Sequence, residues 1–198
     1  MDAILEATLQ VLLVTGKERL TTTRVAERAG VSVGTLYQYF PNKSSLLQAV
    51  LKRHFDAVAE AVVTACAEQH GRPLAEMVAA LASAFLRAKL RDGKGSVALY
   101  AVSADVDGVR LVQQISGRLH TAVAEMLRSA PDAGALDADL VTTVMRGAIS
   151  GVSRQMLESN NPERMLAPLE AQLTAMLRAY LASCTLDPAA ATGRAPER

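Results

Sequence analysis

Cysteine is almost absent. Cys66 and Cys184 are the only two in 198 residues, and there is no tryptophan. That argues against a framework of structural disulfides and leads us to expect a cytoplasmic chain. Long apolar runs are missing too. None approaches the roughly 18 uncharged residues of a membrane span. Met1 leads into an amphipathic segment rather than the uniform apolar stretch of a secretion signal, so no membrane partner is expected. There is no Gly-rich phosphate loop, no Gly-x-Ser-x-Gly elbow and no His/Cys set at metal-ligand spacing. An enzyme is therefore not expected, and neither a cofactor nor a metal site is foreseen. His54, His70 and His120 are expected to be solvated or structural. Asp105-Val106-Asp107-Gly108 lacks the remaining acidic ligands of a calcium loop. The two cysteines are expected to pack quietly rather than to sense oxidation.

Half of the residues are hydrophobic, which is enough to bury a sizeable core in one or two domains. The net charge of +1 carries no message about nucleic acid, but its distribution does. Lys17, Arg19, Arg24, Arg28, Lys43, Lys52 and Arg53 face Asp2, Glu6, Glu18 and Glu27 within the first 55 residues, and the remainder is slightly acidic. A basic first quarter on an acidic body hints at a nucleic-acid module fused to something else. Aromatics make up only 4% of the chain, yet Tyr37, Tyr39 and Phe40 fall within four residues.

Ala, Leu, Met, Glu, Gln and Arg dominate, and β-branched alternation is scarce, so an all-α fold is expected. Asp2 can cap a first helix that Gly16 should end. A Thr caps a short second helix ending at Gly30, and Ser32 caps another through Tyr39. Pro41 blocks continuation, and Asn42 caps a long helix from Lys43 to about His70. Further helices are expected after Pro73 until Gly93–Gly95 breaks the run, briefly between Ser96 and Gly108, and from Val109 to about Ser129. The last two run from Leu136 to about Glu158 and from Glu163 to about Ser183. The Ala/Pro/Gly-rich tail from 185 to 198 reads as disordered. The domain reading is a DNA-binding domain over 1–48 and a ligand-binding and dimerisation domain over 49–184.

Residues 22–43 carry the functional signal. Two short helices joined by Ala29-Gly30-Val31-Ser32 describe a helix-turn-helix. Val25, Ala26 and Ala29 face inward on the first, and Leu36 and Phe40, four apart, anchor the second. Val33, Gly34, Thr35, Tyr37, Gln38 and Tyr39 are then free. Gly34 permits close approach to a phosphate backbone. Thr35 can touch a base edge or a thymine methyl, and Gln38 can read a base in the major groove. Thr22, Thr23 and Ser32 sit at helix starts that favour an anion. Tyr37, Tyr39 and Lys43 can reach phosphates. Arg24 is grouped with these DNA-binding candidates.

The string from Thr22 to Leu47, with its glycine-ended first helix and the Leu36-Tyr37-x-Tyr39-Phe40-x-x-Lys43 signature, resembles the DNA-binding domain of the tetracycline-repressor (TetR) family. The resemblance covers roughly residues 2–50. It implies an all-helical, homodimeric bacterial transcription regulator with a three-helix N-terminal reader. Its C-terminal domain would bind a small-molecule effector and pair its last two helices with their copies in a four-helix bundle. Many members carry a basic extension ahead of the first helix. Here that helix starts almost at Met1, so no minor-groove contact is expected.

For the body, Met77, Leu81, Phe85, Leu99, Tyr100, Met126 and Met145 are candidate lining of an effector cavity, because methionines and a few aromatics suit adaptable apolar pockets. The same spacing also suits ordinary core. An apolar or aromatic effector is expected, and Arg146 and Arg154 could meet an acid. Gly147, Ser150 and Gly151 mark a close helix approach at a dimer seam. Arg154, Leu169, Leu173, Met176 and Tyr180 complete the candidate interface. The rival reading keeps the DNA-binding fold but dispenses with an effector, leaving the body for dimerisation or protein contacts.

Overall fold

A computed structural model describes residues 1–91, 93–103 and 108–186. Among them are nine helices and no strand: α1 (Asp2–Arg19), α2 (Thr22–Ala29), α3 (Val33–Tyr39), α4 (Lys43–Glu68), α5 (Leu74–Arg91), α6 (Gly93–Ser103), α7 (Gly108–Arg128), α8 (Ala138–Glu158) and α9 (Pro162–Leu186). The residues divide into two compact units. One holds residues 1–57 and the described residues between 93 and 115, and the other holds 58–91 and the described residues from 116 on. The first 15 residues of α4 thus belong to the first unit, and the rest of this 26-residue helix to the second.

In the first unit, α1 packs on α2 and α6, and α2 on α3. Its core gathers Ile4, Leu5, Leu12, Leu20, Val25, Leu36, Leu46, Leu51, Leu99 and Val102. Buried His54 is hydrogen-bonded to the Ser96 hydroxyl at 3.0 Å, which joins α4 to α6 through a polar contact inside the apolar core. Gly16 keeps non-helical angles (φ 73°, ψ 168°), so it kinks α1 and a last turn follows to Arg19. Asp2 sits in the first turn beside the positive helix end, and Met1 rather than Asp2 occupies the cap position.

In the second unit, α5, α8 and α9 pack against one another around Met77, Leu81, Leu86, Leu127, Met145, Met156, Leu173 and Leu177. The turn before α8 closes this bundle with side-chain caps. The Asp132 carboxylate accepts the Leu74 N–H at 2.9 Å, and the Ser129 hydroxyl accepts the Gly71 N–H at 2.9 Å. Arg178 on α9 donates to the Ala75 carbonyl of α5 at 3.0 Å, and Arg87 pairs with Glu170 at 3.2 Å. Both cysteines are buried and reduced, and burial pushes the Cys66 thiol up to about 11.

Several element limits differ from the sequence reading. Gly93 and Gly95 lie within α6, which begins at Gly93, rather than between helices. The last helix runs on to Leu186, through Pro168, as Cys184 carries its buried face past Ser183. The acidic pair Asp105/Asp107 and the tail from 187 lie outside the described residues.

Candidate functional site

Local capping builds the first site. The Thr21 hydroxyl accepts the Arg24 N–H at 3.3 Å to start α2. Gly30 ends it in the left-handed region (φ 67°), where its N–H and that of Val31 close on carbonyls of the last turn. Ser32 Oγ then accepts the Thr35 N–H at 2.9 Å and starts α3 at once. Only two residues thus separate the end of α2 from the cap of α3. Asn42 and Ser45 exchange bonds at the start of α4: Asn42 Oδ1 accepts the Ser45 N–H at 2.8 Å, and Ser45 Oγ accepts the Asn42 N–H at 3.3 Å.

Leu36 is fully buried and Phe40 nearly so, which turns the rest of α3 outward. Tyr37 and Tyr39 are 47% and 53% exposed, far more than any core aromatic would be. Gln38 and Thr23 are exposed and make no side-chain bond among the described residues. Gly34 is exposed, and a Cβ there would meet nothing nearer than Ser32 Oγ at 3.7 Å. The protein's own packing therefore does not require a glycine at that position. The Tyr37 hydroxyl lies 3.2 Å from Thr22 Oγ1, and Ser32 Oγ lies 2.8 Å from Thr35 Oγ1. Val33 is half-buried against the core of the first unit, more enclosed than the sequence reading had it.

Two cations are held by backbone. Arg24 donates to the Arg19 carbonyl at 2.9 Å, and Lys43 Nζ donates to the Lys17 carbonyl at 2.9 Å. Each bond satisfies an acceptor at the end of α1. An ammonium has three donors and a guanidinium five, so both keep N–H groups in hand. Arg28 donates to Gln10 at 2.8 Å and pins α2 to α1.

The second unit contains a cavity of about 40 Å³. Its wall comes from Val62, Leu81, Phe85, Leu119, His120, Val123, Thr142, Met145, Arg146, Ile149 and Ser150. Of the candidate lining residues, Leu81, Phe85 and Met145 are among these. Met77 and Met126 are fully buried in the core beside them, Leu99 belongs to the core of the first unit, and the Tyr100 side chain lies outside the described residues. The polar lining went unread in the sequence apart from Arg146, although Thr142, Arg146 and Ser150 recur every four residues on α8. His120 Nε2 lies 3.2 Å from Asp139, which also binds Arg128. The Arg128 bond first, then that of His120, holds the Asp139 carboxyl below its ordinary range.

The candidate seam residues divide by burial. Gly147, Gly151, Arg154 and Met176 are exposed, with Arg154 paired to Glu158 at 2.9 Å. Ser150 lines the cavity from an exposed position. Leu173 is buried in its own unit, and Leu169 and Tyr180 pack partly against the same core. Sequence reasoning missed Leu140, Val144 and Met165, large apolar side chains left exposed on α8 and α9.

Residues 73–181 match the family model described as the tetracyclin repressor-like C-terminal domain, and residues 4–50 match that of bacterial regulatory proteins of the tetR family. The chain belongs to the TetR family. A DNA-binding regulator of transcription is the function that membership carries, and a catalytic role is not part of it. The HTH-type transcriptional repressor KstR of Mycolicibacterium smegmatis is 49% identical over 55 residues, 28% of this chain and 27% of that protein. The nucleoid occlusion factor SlmA of Haemophilus ducreyi is 50% identical over 38 residues, 19% of each. These matches thus span about a quarter or less of the curated relatives. A TetR-family regulator from Mesorhizobium loti shares the fold over 92% of this chain and 95% of its own, with a TM-score of 0.77 at 17% identity. Among the described residues no helix is long and apolar enough to cross a membrane, and no cluster of His, Cys, Asp or Glu could hold a metal.

Proposed function

We propose that this TetR-family protein is a homodimeric repressor, released from a near-palindromic operator when a small effector enters the cavity of the second unit. The outward face of α3 carries the proposal. Its aromatics, amide and glycine are exposed without a packing reason, on a helix fixed by Leu36 and Phe40. In this reading Thr35 and Gln38 meet base edges. Gly34 lies against the backbone, and Thr22, Thr23, Arg24, Ser32, Tyr37, Tyr39 and Lys43 hold phosphates while Val33 flanks them.

A symmetric dimer sets two reading helices about 34–36 Å apart, one duplex turn. The exposed apolar residues Leu140, Val144, Met165 and Met176 support pairing through α8 and α9. The effector would favour a state with another separation, with α4 as the lever because it belongs to both units. A strong shift of occupancy needs several kcal/mol of differential binding.

The test is retention of genomic fragments, the protein's own upstream region included, followed by competition with a metabolite panel. Retained palindromes that one metabolite releases are the expected result. DNA retention that no metabolite moves would favour the rival, a body used only for dimerisation or protein contacts.

A further inference from the structure

Two cations of the first unit are held without being neutralised. Lys52 and Arg53 face carboxylates, those of Asp56 at 2.5 Å and Glu6 at 3.4 Å. Arg24 and Lys43 instead donate to the main-chain carbonyls of Arg19 and Lys17, each at 2.9 Å, and neither faces a carboxylate among the described residues. A carbonyl fixes a cation but leaves its charge uncompensated, which suits a side chain that has still to meet an anion. Both carbonyls belong to the three residues that follow Gly16. Gly16 has φ 73° and ψ 168°, a region essentially closed to other L residues. A Cβ there would meet nothing within 4 Å, so glycine is required by conformation and not by space. In an unbroken helix the last free carbonyls would lie along the axis of α1. The kink gives the turn of residues 17–19 a direction of its own. That turn is fastened on both sides: Thr15 Oγ1 donates to the Val11 carbonyl at 2.9 Å, and Leu20 is fully buried.

We propose that Gly16 is a positioning residue for DNA binding. The turn it creates holds Arg24, in the first turn of α2, and Lys43, at the start of α4, in place before the duplex arrives. This rests on the reading that both cations meet phosphates, and adds what aims them. Lysine and arginine carry long side chains whose freedom is otherwise lost on binding. Ordering them in the free protein removes that loss from the binding step. One backbone conformation in α1 thus serves cations on two other helices.

The experiment uses the full chain and a genomic duplex that it retains. Gly16→Ala is made alone and in an Arg24→Ala/Lys43→Ala background, and each protein is assayed below its melting temperature. Alone, Gly16→Ala should weaken binding about tenfold, the ordering cost of two such side chains. In the background without the two cations it should weaken binding no further, because the effect passes through them. Nitrogen NMR gives a readout without DNA: the Lys43 ammonium signal, sharp in the native chain, should broaden or vanish in Gly16→Ala. D-alanine at position 16, introduced by ligating a synthetic N-terminal segment, prefers the mirror region and should restore both affinity and signal. A general loss of stability would not follow that pattern. An equal loss in both backgrounds, an affinity untouched by Gly16→Ala, or a Lys43 ammonium averaged by motion in the native chain would overturn the proposal. The last of these is read on the native chain, so it decides even where Gly16→Ala does not fold. If Arg24→Ala/Lys43→Ala binds DNA as the native chain does, the phosphate reading itself fails, and the proposal falls with it whatever Gly16→Ala does.

Discussion

At the scale of the residue, Lys43 and Gln38 separate the two kinds of DNA contact. Gln38 is exposed and makes no bond within the protein, so Gln38→Ala should leave stability unchanged and relax preference at one operator position by about 1–3 kcal/mol. Binding to an operator set substituted position by position checks this, and a uniform loss across the set refutes base reading. Lys43 has a second duty, because its ammonium holds the Lys17 carbonyl. Lys43→Ala should therefore weaken binding to all sequences and reduce the salt slope by about 0.9. It should also cost about 0.5–1.5 kcal/mol of stability in urea. A stability loss with an unchanged slope would leave Lys43 a structural clamp alone.

Asp139 gives a pH prediction at the same scale. Arg128 and then His120 hold its carboxyl below the ordinary 3.8. The folded state thus favours the carboxylate. That contribution is present above the unfolded pKa and is lost as pH falls below about 4 through the folded value. The urea midpoint of the native chain should exceed that of Asp139→Asn near pH 6, and the two should converge as the pH falls below about 4. A constant difference across that range would show that the pairing contributes nothing through charge.

At the scale of the element, two glycines four residues apart, one ending α2 and the other inside α3, behave oppositely. Gly30 needs the left-handed region to end α2, so Gly30→Ala should cost about 1 kcal/mol. Gly34 has helical angles and open space, so Gly34→Ala should preserve or slightly raise the melting temperature yet weaken operator binding. Thermal melts paired with gel shifts decide it, and undiminished DNA binding by Gly34→Ala would remove α3's first turn from the backbone contact. The same region shows what could be read without coordinates. Thr21, Gly30, Ser32 and Asn42 act through local hydrogen bonds, so the caps, the turn and the outward face of α3 follow from adjacent residues. The cavity does not work that way. Met77 and Met145 have the same chemistry and both are fully buried, yet only Met145 faces the hollow. That difference is set by how α5, α7 and α8 meet, which no single helix period encodes. Thr142 follows the same rule, since its buried hydroxyl is left unpaired only by the way neighbouring helices enclose it.

At the scale of the whole molecule, the homodimer proposed above requires an apolar surface for a second copy to cover. Leu173 sits at heptad spacing with Leu166, Leu169 and Met176, yet it is 2% exposed while Met176 is 48% exposed. The inward half of that pattern builds the unit's own core, and the outward half is free for association. On α8 the corresponding exposed side chains are Leu140 and Val144, and a Cβ at Gly147 or Gly151 would meet nothing within 4 Å. Nothing inside one chain accounts for small residues there, whereas the close approach of a partner helix would. Val144→Asp places a charge in the middle of that face without touching the core. It should give a helical monomer with a nearly unchanged melt in dilute solution. Operator affinity should fall about 10²–10⁴-fold, because the two half-sites are no longer bound as one unit. Leu173→Ala should instead lose about 2–5 kcal/mol of stability to a core cavity, and the molecules that remain folded should stay dimeric. Sedimentation velocity on both variants separates the surfaces. A Val144→Asp protein that still sediments as a dimer would move the seam away from this face of α8.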